Sequence, residues 1–552
     1  MKDLQEKFKN MHLLSREERI ELNRELEIQR PKFLRKFVPR WWWWRRCRIK
    51  VLIVTDGGLN FHTGGFGLSE FLTTFNQLEA TSWVDYKVTL AHRGSITNSP
   101  NPIVVNHISS FKFTSVNLND FDQVWLFGIS SGGSINTSEK NAIAAYMDGG
   151  GGLFATGDHG SLGSAMCGDI IRVKDMRYWA DTPNSANDTN EVSMGGKRRN
   201  DTNRPAAGDA TSLWFDNQSD DIPQTIGVRT FGSGMPHPLL SIKTSLRPSG
   251  IIDVMPDHPH EGECKPETSF TANSITVPTQ IISTSYVLGG STTFNGLGKD
   301  STDPHCFPSI SVWDGRLASV GRVVVDSTWH HFVNINLNGV GSNIDKPGIQ
   351  PGLNNNDFIA IRQYYMNIAT WMTRRKSIWC WWRFVIYDLY QNSQLIEASL
   401  NNPDQNIKDI SLADLNSIGA LAEEILASKY NPAFARSFLL EFMGEYNKEL
   451  TETMDIWRPN VKKKGEKKRE KKGDDYYQNW LNLDLILRTS IGAGFIALRD
   501  DKRIASEKMG EKGLNRILEV FGKGIDFGFK ASVQDLNSNY NSFVKTIRKK
   551  RK

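Results

Sequence analysis

The sequence predicts an α/β protein, a mainly parallel, doubly wound sheet followed by an all-helical region. Three observations carry this. Short, almost wholly apolar runs, Ile49 to Thr55 above all, have the pattern of strands buried on both faces. These runs alternate with helical stretches at the spacing of βαβ units. Beyond about Asn354 apolar residues recur at three- and four-residue intervals, the period of helices.

In chain order, residues 1–47 form an extension. Its first part, to about residue 40, reads as an amphipathic helical stretch with a capping box at Ser15-Arg16-Glu17-Glu18, broken by Pro31 and Pro39. The run Trp41-Trp42-Trp43-Trp44-Arg45-Arg46 reads either as an apolar flap on the first strand or as a patch for a membrane surface or a partner. The α/β domain spans 48–345. Strand Ile49 to Thr55 stops at Asp56-Gly57-Gly58, and Gly64-Gly65-Phe66-Gly67 leads into a helix from about Ser69. Tyr86 to Ala91 and Gln123 to Phe127 are further strands, followed by a loop to Ser134, a helix Ser138 to Met147 and a strand Leu153 to Thr156. A polar insertion near 175–245 reads as a lid or wall over the sheet edge. Strands resume at Gly250 to Met255 and Thr279 to Thr284, and Ile310 to Trp313 forms a hairpin with Leu317 to Ser327 about Asp314-Gly315. The region 355–552 carries helices at Phe358 to Thr373, Arg383 to Ser399, Leu412 to Tyr430 and Pro432 to Met454, then two more. Lys462 to Lys472 reads as a solvated loop.

The bulk numbers bound the function. A chain of 552 residues with 39% hydrophobic and 23% charged content builds two or three domains with large cores, which excludes wholesale disorder. The net charge of +6 is mild, and its excess is local. The N-terminus has no apolar signal region, and the nearest approach to a membrane span, Ile378 to Tyr387, is short and carries Arg383. Cys47, Cys167, Cys264, Cys306 and Cys380 are scattered without a CxxC pair, so neither a disulfide framework nor zinc-finger spacing is expected. These features point to a soluble protein of the reducing cytoplasm.

Three polar clusters follow strands and would meet at the carboxyl edge of the sheet, where open α/β sheets do their chemistry. The first is Asp158-His159, in the sharp turn Gly157-Asp158-His159-Gly160 between a strand and a helix, although an Asp there also serves as a plain helix cap. The second runs from Asp257 to Cys264 and holds His258, His260 and Glu261, residue types that ligate metals without matching a specific motif. The third, Asp326 to His331, ends in the adjacent pair His330-His331, which would face opposite sides if the strand continued through them. His305-Cys306 is an isolated further pair.

The segments KVLIVTDGG from Lys50, FDQVWLFG from Phe121, YMDGGGGLFATGDHG from Tyr146 and GRVVVDSTWHH from Gly321 carry a family resemblance. Between Ile49 and about Leu337 the chain resembles the class I glutamine amidotransferase-like fold, a flavodoxin-like sheet, and within it the ThuA-like (trehalose-utilisation-type) branch. The resemblance implies a nucleophile at the elbow and a histidine after a later strand. Asp158-His159 would occupy the elbow, and His330 or His331 would match the histidine. The elbow here lacks Cys or Ser, and Cys167 lies within the next helix, so thiolate attack on glutamine is not expected.

Two functional readings remain. In the first, a hydrolase-like or sugar-processing enzyme acts on a small-molecule or carbohydrate-like substrate. Asp158, His159, Asp326, His330 and His331 do acid–base work, or a divalent metal such as zinc sits on His258, His260 and Glu261 with His159 and His330. In the second, a non-catalytic ligand-binding or sensor module uses its helical region to hold a protein partner. Lys462 to Lys472 and the tail Arg548 to Lys552 could neutralise phosphates of nucleic acid or an anionic membrane, but match no recognition module.

Overall fold

The apolar run at Ile49 forms the strand around which the domain is built. The computed structural model describes residues 47–81, 84–131, 135–158, 161–179, 223–256, 262–265, 267–287, 293–294, 297–298, 305–341, 352–400, 405–446, 448, 452, 454–463, 483–501 and 511–550. The extension with its Trp41 to Trp44 run, residues 180–222 of the expected insertion, and 464–472 of the Lys-rich segment lie outside them. The central sheet contains β1 (Cys47–Thr55), β2 (Val84–His92), β3 (Val104–Ile108), β4 (Gln123–Phe127), β5 (Gly152–Thr156), β6 (Gly227–Val228), β7 (Gln280–Val287), β8 (His305–Trp313) and β9 (Val323–Asp326). Their order is β3-β2-β1-β4-β5-β9-β8-β7-β6. The stretch β3 to β9 is parallel throughout, and β8, β7 and β6 continue it antiparallel. Ile49 to Thr55 and Leu153 to Thr156 thus lie in one parallel sheet, each beside β4.

Alternation along the strands assigns the two faces. Val51, Ile53, Trp125, Phe127, Phe154 and Val324 enter one core, while Leu52, Val54, Val124, Leu126, Leu153 and Val325 enter another. Helix α1 (Ser69–Thr81) covers the first face with Phe71, Leu72 and Phe75. Helix α2 (Thr137–Asp148), which starts in a capping box between Asn136 and Glu139, covers the second with Ile143, Tyr146 and Met147. The chain steps from β1 outward to β2 in one direction and from β4 to β5 in the other. Right-handed crossovers on opposite sides of that reversal put the helices on opposite faces. The reversal between β1 and β4 is the switch point at which such sheets bind ligands.

The region after residue 352 is helical as expected, with α3 (Asn355–Trp371), α4 (Arg375–Tyr390), α5 (Ser393–Leu400), α6 (Leu412–Lys429), α7 (Pro432–Gly444), α8 (Leu483–Asp500) and α9 (Glu511–Lys550). Four details depart from the sequence reading. The helix expected over Arg383 to Ser399 is split, because the Asn392 side chain accepts from the backbone N–H groups of Gln394 and Leu395 and so restarts it. The strand expected at Gly250 to Met255 is only Val254–Met255, paired with Gln224–Thr225 in a small separate sheet, since β8 occupies the free edge of β9. Asp314-Gly315 does not make a tight hairpin turn. The Asp314 side chain caps a short 3-10 turn, Gly315–Ala318, and also binds the Arg322 guanidinium through two contacts of 2.9 Å. Lys462–Lys463 pairs as an edge strand with Ile275–Thr276, where a solvated loop is expected.

A disulfide, Cys47–Cys380, joins the start of β1 to α4 across 333 residues of sequence. It corrects the expectation of no disulfide, which had supported a reducing compartment. No regular cysteine spacing announces it, because the two residues meet only when α4 docks on β1. Among the described residues no helix is long and apolar enough to cross a membrane.

Glycines set how closely the helices approach. A Cβ at Gly419 of α6 would overlap the Arg488 carbonyl, and one at Gly492 of α8 would overlap the Leu415 carbonyl, so the two backbones touch. Gly492→Ala gains about 1 kcal/mol of helix propensity. Rigid carbonyl oxygen in its path costs about 1–3 kcal/mol or more. The net expectation is a lower denaturant midpoint, and a raised midpoint would show that the helices part freely.

Where α7 meets the sheet, charges are packed together. Arg322 lies between Asp314 and Glu441, and Arg316 binds Glu441 at 2.6 Å. Asp455, beside them, has its carboxyl pushed from the ordinary 3.8 to about 6, first by burial and then by the Asp314 carboxylate, with the Trp457 N–H opposing. The fold therefore favours the neutral acid. That contribution is full below the unfolded value of 3.8 and is lost as pH rises through about 6. Asp455→Asn keeps the Oδ1 acceptor that the Trp457 N–H uses at 3.0 Å. It should stabilise the protein by about 1–2 kcal/mol at neutral pH. Urea unfolding at neutral and acidic pH tests this: the gain should vanish in acid, and a gain independent of pH would refute the assignment.

Candidate active site

The site is assembled where β5 and β9, adjacent and parallel, both end. After β5 the chain passes through Gly157 to Asp158 and returns to Gly163, whose φ of 90° and approach to Gly157 and Gly128 admit no side chain. After β9, Thr328 caps a 3-10 turn, Trp329–His331, by accepting the His330 N–H. Its hydroxyl proton goes to Asp158 Oδ1 at 2.9 Å. The turn is held from below by Phe332, whose ring meets those of Phe71, Phe127, Phe154 and Tyr365 at 4.9–5.5 Å. Arg177 clamps the two strand ends together, with Nη2 donating to the Asp158 carbonyl and Nε to the Ser327 carbonyl, at 2.6 and 2.9 Å.

Because the strand ends at Asp326, the two histidines are freed from strict alternation, and each faces one of the expected aspartates. His330 Nε2 lies 3.4 Å from Asp158 Oδ2, while its Nδ1 lies 3.0 Å from Asn336 Oδ1. Read with the amide oxygen as acceptor, Nδ1 carries a proton and Nε2 faces the Asp158 carboxylate. The His330 ring stacks on Trp329 at 4.2 Å, and Trp329 meets Phe66, which is 46% exposed, at 5.5 Å. An aromatic path thus runs from the surface toward the imidazole. Asp158 is 1% and His330 5% exposed.

The other pair does not share this position. His331 Nδ1 lies 2.8 Å from Asp326 Oδ1, and both residues are 0% exposed. Asp326 Oδ2 accepts from the Tyr364 hydroxyl at 2.8 Å, and the His331 carbonyl accepts from Tyr365, both on α3. The structure thus places Asp326 and His331 beneath α3, apart from the Asp158–His330 pair, at the base of the turn that carries His330.

His159 and the cluster His258, His260 and Glu261 lie outside the described residues. Gly262, which follows them, packs against the Ser327 carbonyl, and Cys264 is buried with its Sγ 3.4 Å from the Ser309 carbonyl. Among the described residues no group of three or more His, Cys, Asp or Glu side chains could hold a metal ion. Cys167 is buried, and desolvation together with the Asp56 charge pushes its thiol well above the ordinary range, so it stays a protonated thiol. Cys306 is a half-buried free cysteine in β8.

Sequence reading passed over several residues that the edge brings together. Asp56, at the end of β1, accepts the backbone N–H groups of Ile129 and Ser130 across the switch point, at 2.6 and 3.0 Å. Burial pushes its carboxyl above the ordinary range despite these bonds and the nearby His92 and Arg93. His92 accepts the Gly94 N–H at Nδ1 and faces the Gly57 carbonyl with Nε2. The signal was available, since each is a polar residue at the end of an apolar strand, as Asp158 and Asp326 are. Thr328 and Arg177 had no such signal, because the Asp158 and Ser327 they engage are 170 and 150 positions away, and no pattern marks Asn336 beside His330.

Comparison with protein-family models and with curated proteins finds no match.

Proposed function

We infer that the protein is a hydrolase-type enzyme on an amidotransferase-like sheet, with His330 as acid–base group and Asp158 as its carboxylate partner. The observation that carries this is the Asn336–His330–Asp158 arrangement at the joined ends of β5 and β9. A substrate entering along Phe66 and Trp329 would part the 3.4 Å contact and expose Nε2. His330 then takes a proton from the attacking water, Asn336 holds the ring through Nδ1, and Asp158 stabilises the imidazolium. The same proton returns to the leaving group, so no elbow cysteine is required. The exposed aromatic face suits a carbohydrate-like ring, in keeping with a sugar-processing role.

A second reading, a binding module without turnover, is favoured by the near-closure of Asp158 and His330 to solvent. A panel of chromogenic esters, amides and glycosides, assayed with wild type and with Asp158→Asn, separates the two. Turnover by wild type that falls in the variant supports the enzyme. Ligand-induced thermal stabilisation with no turnover anywhere in the panel supports the binder and refutes the enzyme.

A further inference from the structure

At the opposite, amino-terminal edge of the sheet, a cavity of about 340 Å³ opens between β1, β2 and the helical region. Its volume falls in the range of small-molecule sites, roughly 300–1,000 Å³. The walls are mainly apolar, with Tyr86, Ile359, Met366 and Phe434 among them. Most polar groups around it are already engaged. Asn367 donates to the carbonyls of Leu239 and Ser241, Gln363 donates to Asn367, and Asn431 caps α7. Thr370 and Thr373 donate to the backbone of α3. Two of the three cations are paired, Arg362 with Glu70 and Lys429 with Asp388.

Three donors stand apart, the first being Arg362 Nε–H, which has no acceptor among the described residues although the guanidinium charge is paired with Glu70. Lys243 lines the cavity and has no carboxylate partner among the described residues, and burial lowers its pKa from the ordinary 10.5. Trp381, 4% exposed and gripped by Tyr430, Phe434 and Phe438 at 5.4–5.7 Å, also lines it. Its indole N–H has no acceptor among the described residues. Buried donors of this kind are ordinarily satisfied, by protein, water or ligand.

We propose that this cavity binds a free apolar monocarboxylate, its carboxylate paired with Lys243, its body against Tyr86, Ile359, Met366 and Phe434, and the Trp381 N–H supplying a neutral donor. One uncompensated cation and one neutral N–H match a singly charged group, whereas a phosphate asks for more charge and more donors. The site is separate from the Asp158–His330 edge, so either can fail without the other. Because its walls come from both the sheet and the helices, an occupant would raise the stability of their association by mass action.

Calorimetric titration of the full-length protein at neutral pH, with decanoate, decanol and decylamine below their aggregation limits, tests the proposal. Wild type should bind decanoate saturably at one site, bind decanol more weakly, and not bind decylamine. Lys243→Met should weaken decanoate by about 10- to 100-fold while leaving decanol nearly unchanged. Met366→Trp should block both. Absence of saturable decanoate binding by wild type, equal binding by Lys243→Met, or preference for decylamine would each overturn it. Lys243 is half-buried, so its variant should fold, and circular dichroism verifies that before titration.

Discussion

On the proposed hydrolase reading, His330→Ala should lower kcat/KM by about 10²–10⁴. That equals about 3–5 kcal/mol of transition-state stabilisation. The effect is large because Nε2 is the one imidazole nitrogen placed against Asp158, and Asn336 already occupies Nδ1. Asp158→Asn should lose activity too, since an amide cannot balance the imidazolium. The controlling comparison is His331→Ala. His331 is sealed beneath α3 with Asp326, so its loss should appear in the unfolding midpoint, with turnover per folded molecule largely kept. Steady-state kinetics with urea denaturation on all three variants decides the matter. If His331→Ala abolishes turnover without loss of stability while His330→Ala is silent, the roles given to the two histidines are reversed.

Cys380→Ser should cost about 2–5 kcal/mol of stability, the expected result of opening a covalent link that closes a very long loop. The bridge ties the first strand to α4, and so the sheet to the helical region, across 333 residues. Denaturant unfolding of wild type with and without reductant should reproduce the difference, and the serine variant should be indifferent to reductant. Alkylation of the unfolded, unreduced protein should label Cys167, Cys264 and Cys306 but not Cys47 or Cys380. Labelling of all five cysteines would show that the link is not formed.

Much of the sheet was legible from local pattern. Strand β4 falls on Gln123–Phe127 as read, and β1, β2, β5 and α2 differ from the reading only at their ends. A strand buried on both faces must be apolar at nearly every position, and that requirement is written within a few residues. Strand β3 was missed because its Val104-Val105-Asn106-His107-Ile108 lies at the exposed edge, where burial imposes no such pattern. Gly250 to Met255 reads as a strand because it is largely apolar, but its Ile252 and Met255 pack in the core without pairing to the central sheet.

The candidate site was legible to a lesser degree. Asp158, Asp326, His330 and His331 stand out because polar residues ending apolar strands reach the carboxyl edge of a parallel sheet. Local reading could not say which histidine faces which aspartate. The side chains diverge because β9 stops at Asp326 and Thr328 turns the chain into a 3-10 helix, with its hydroxyl engaged by a residue 170 positions earlier.

The sequence by itself determined the class of the fold, the faces of its strands and the residue types at its carboxyl edge, since these follow from the period of burial along the chain. Tertiary structure alone decided the Asp158–His330 and Asp326–His331 pairings, the Cys47–Cys380 link and the cavity holding Lys243 and Trp381. All but the Asp326–His331 pair, which a local turn closes, join groups far apart in the chain, and their meeting depends on strand order and helix docking, which no local period encodes.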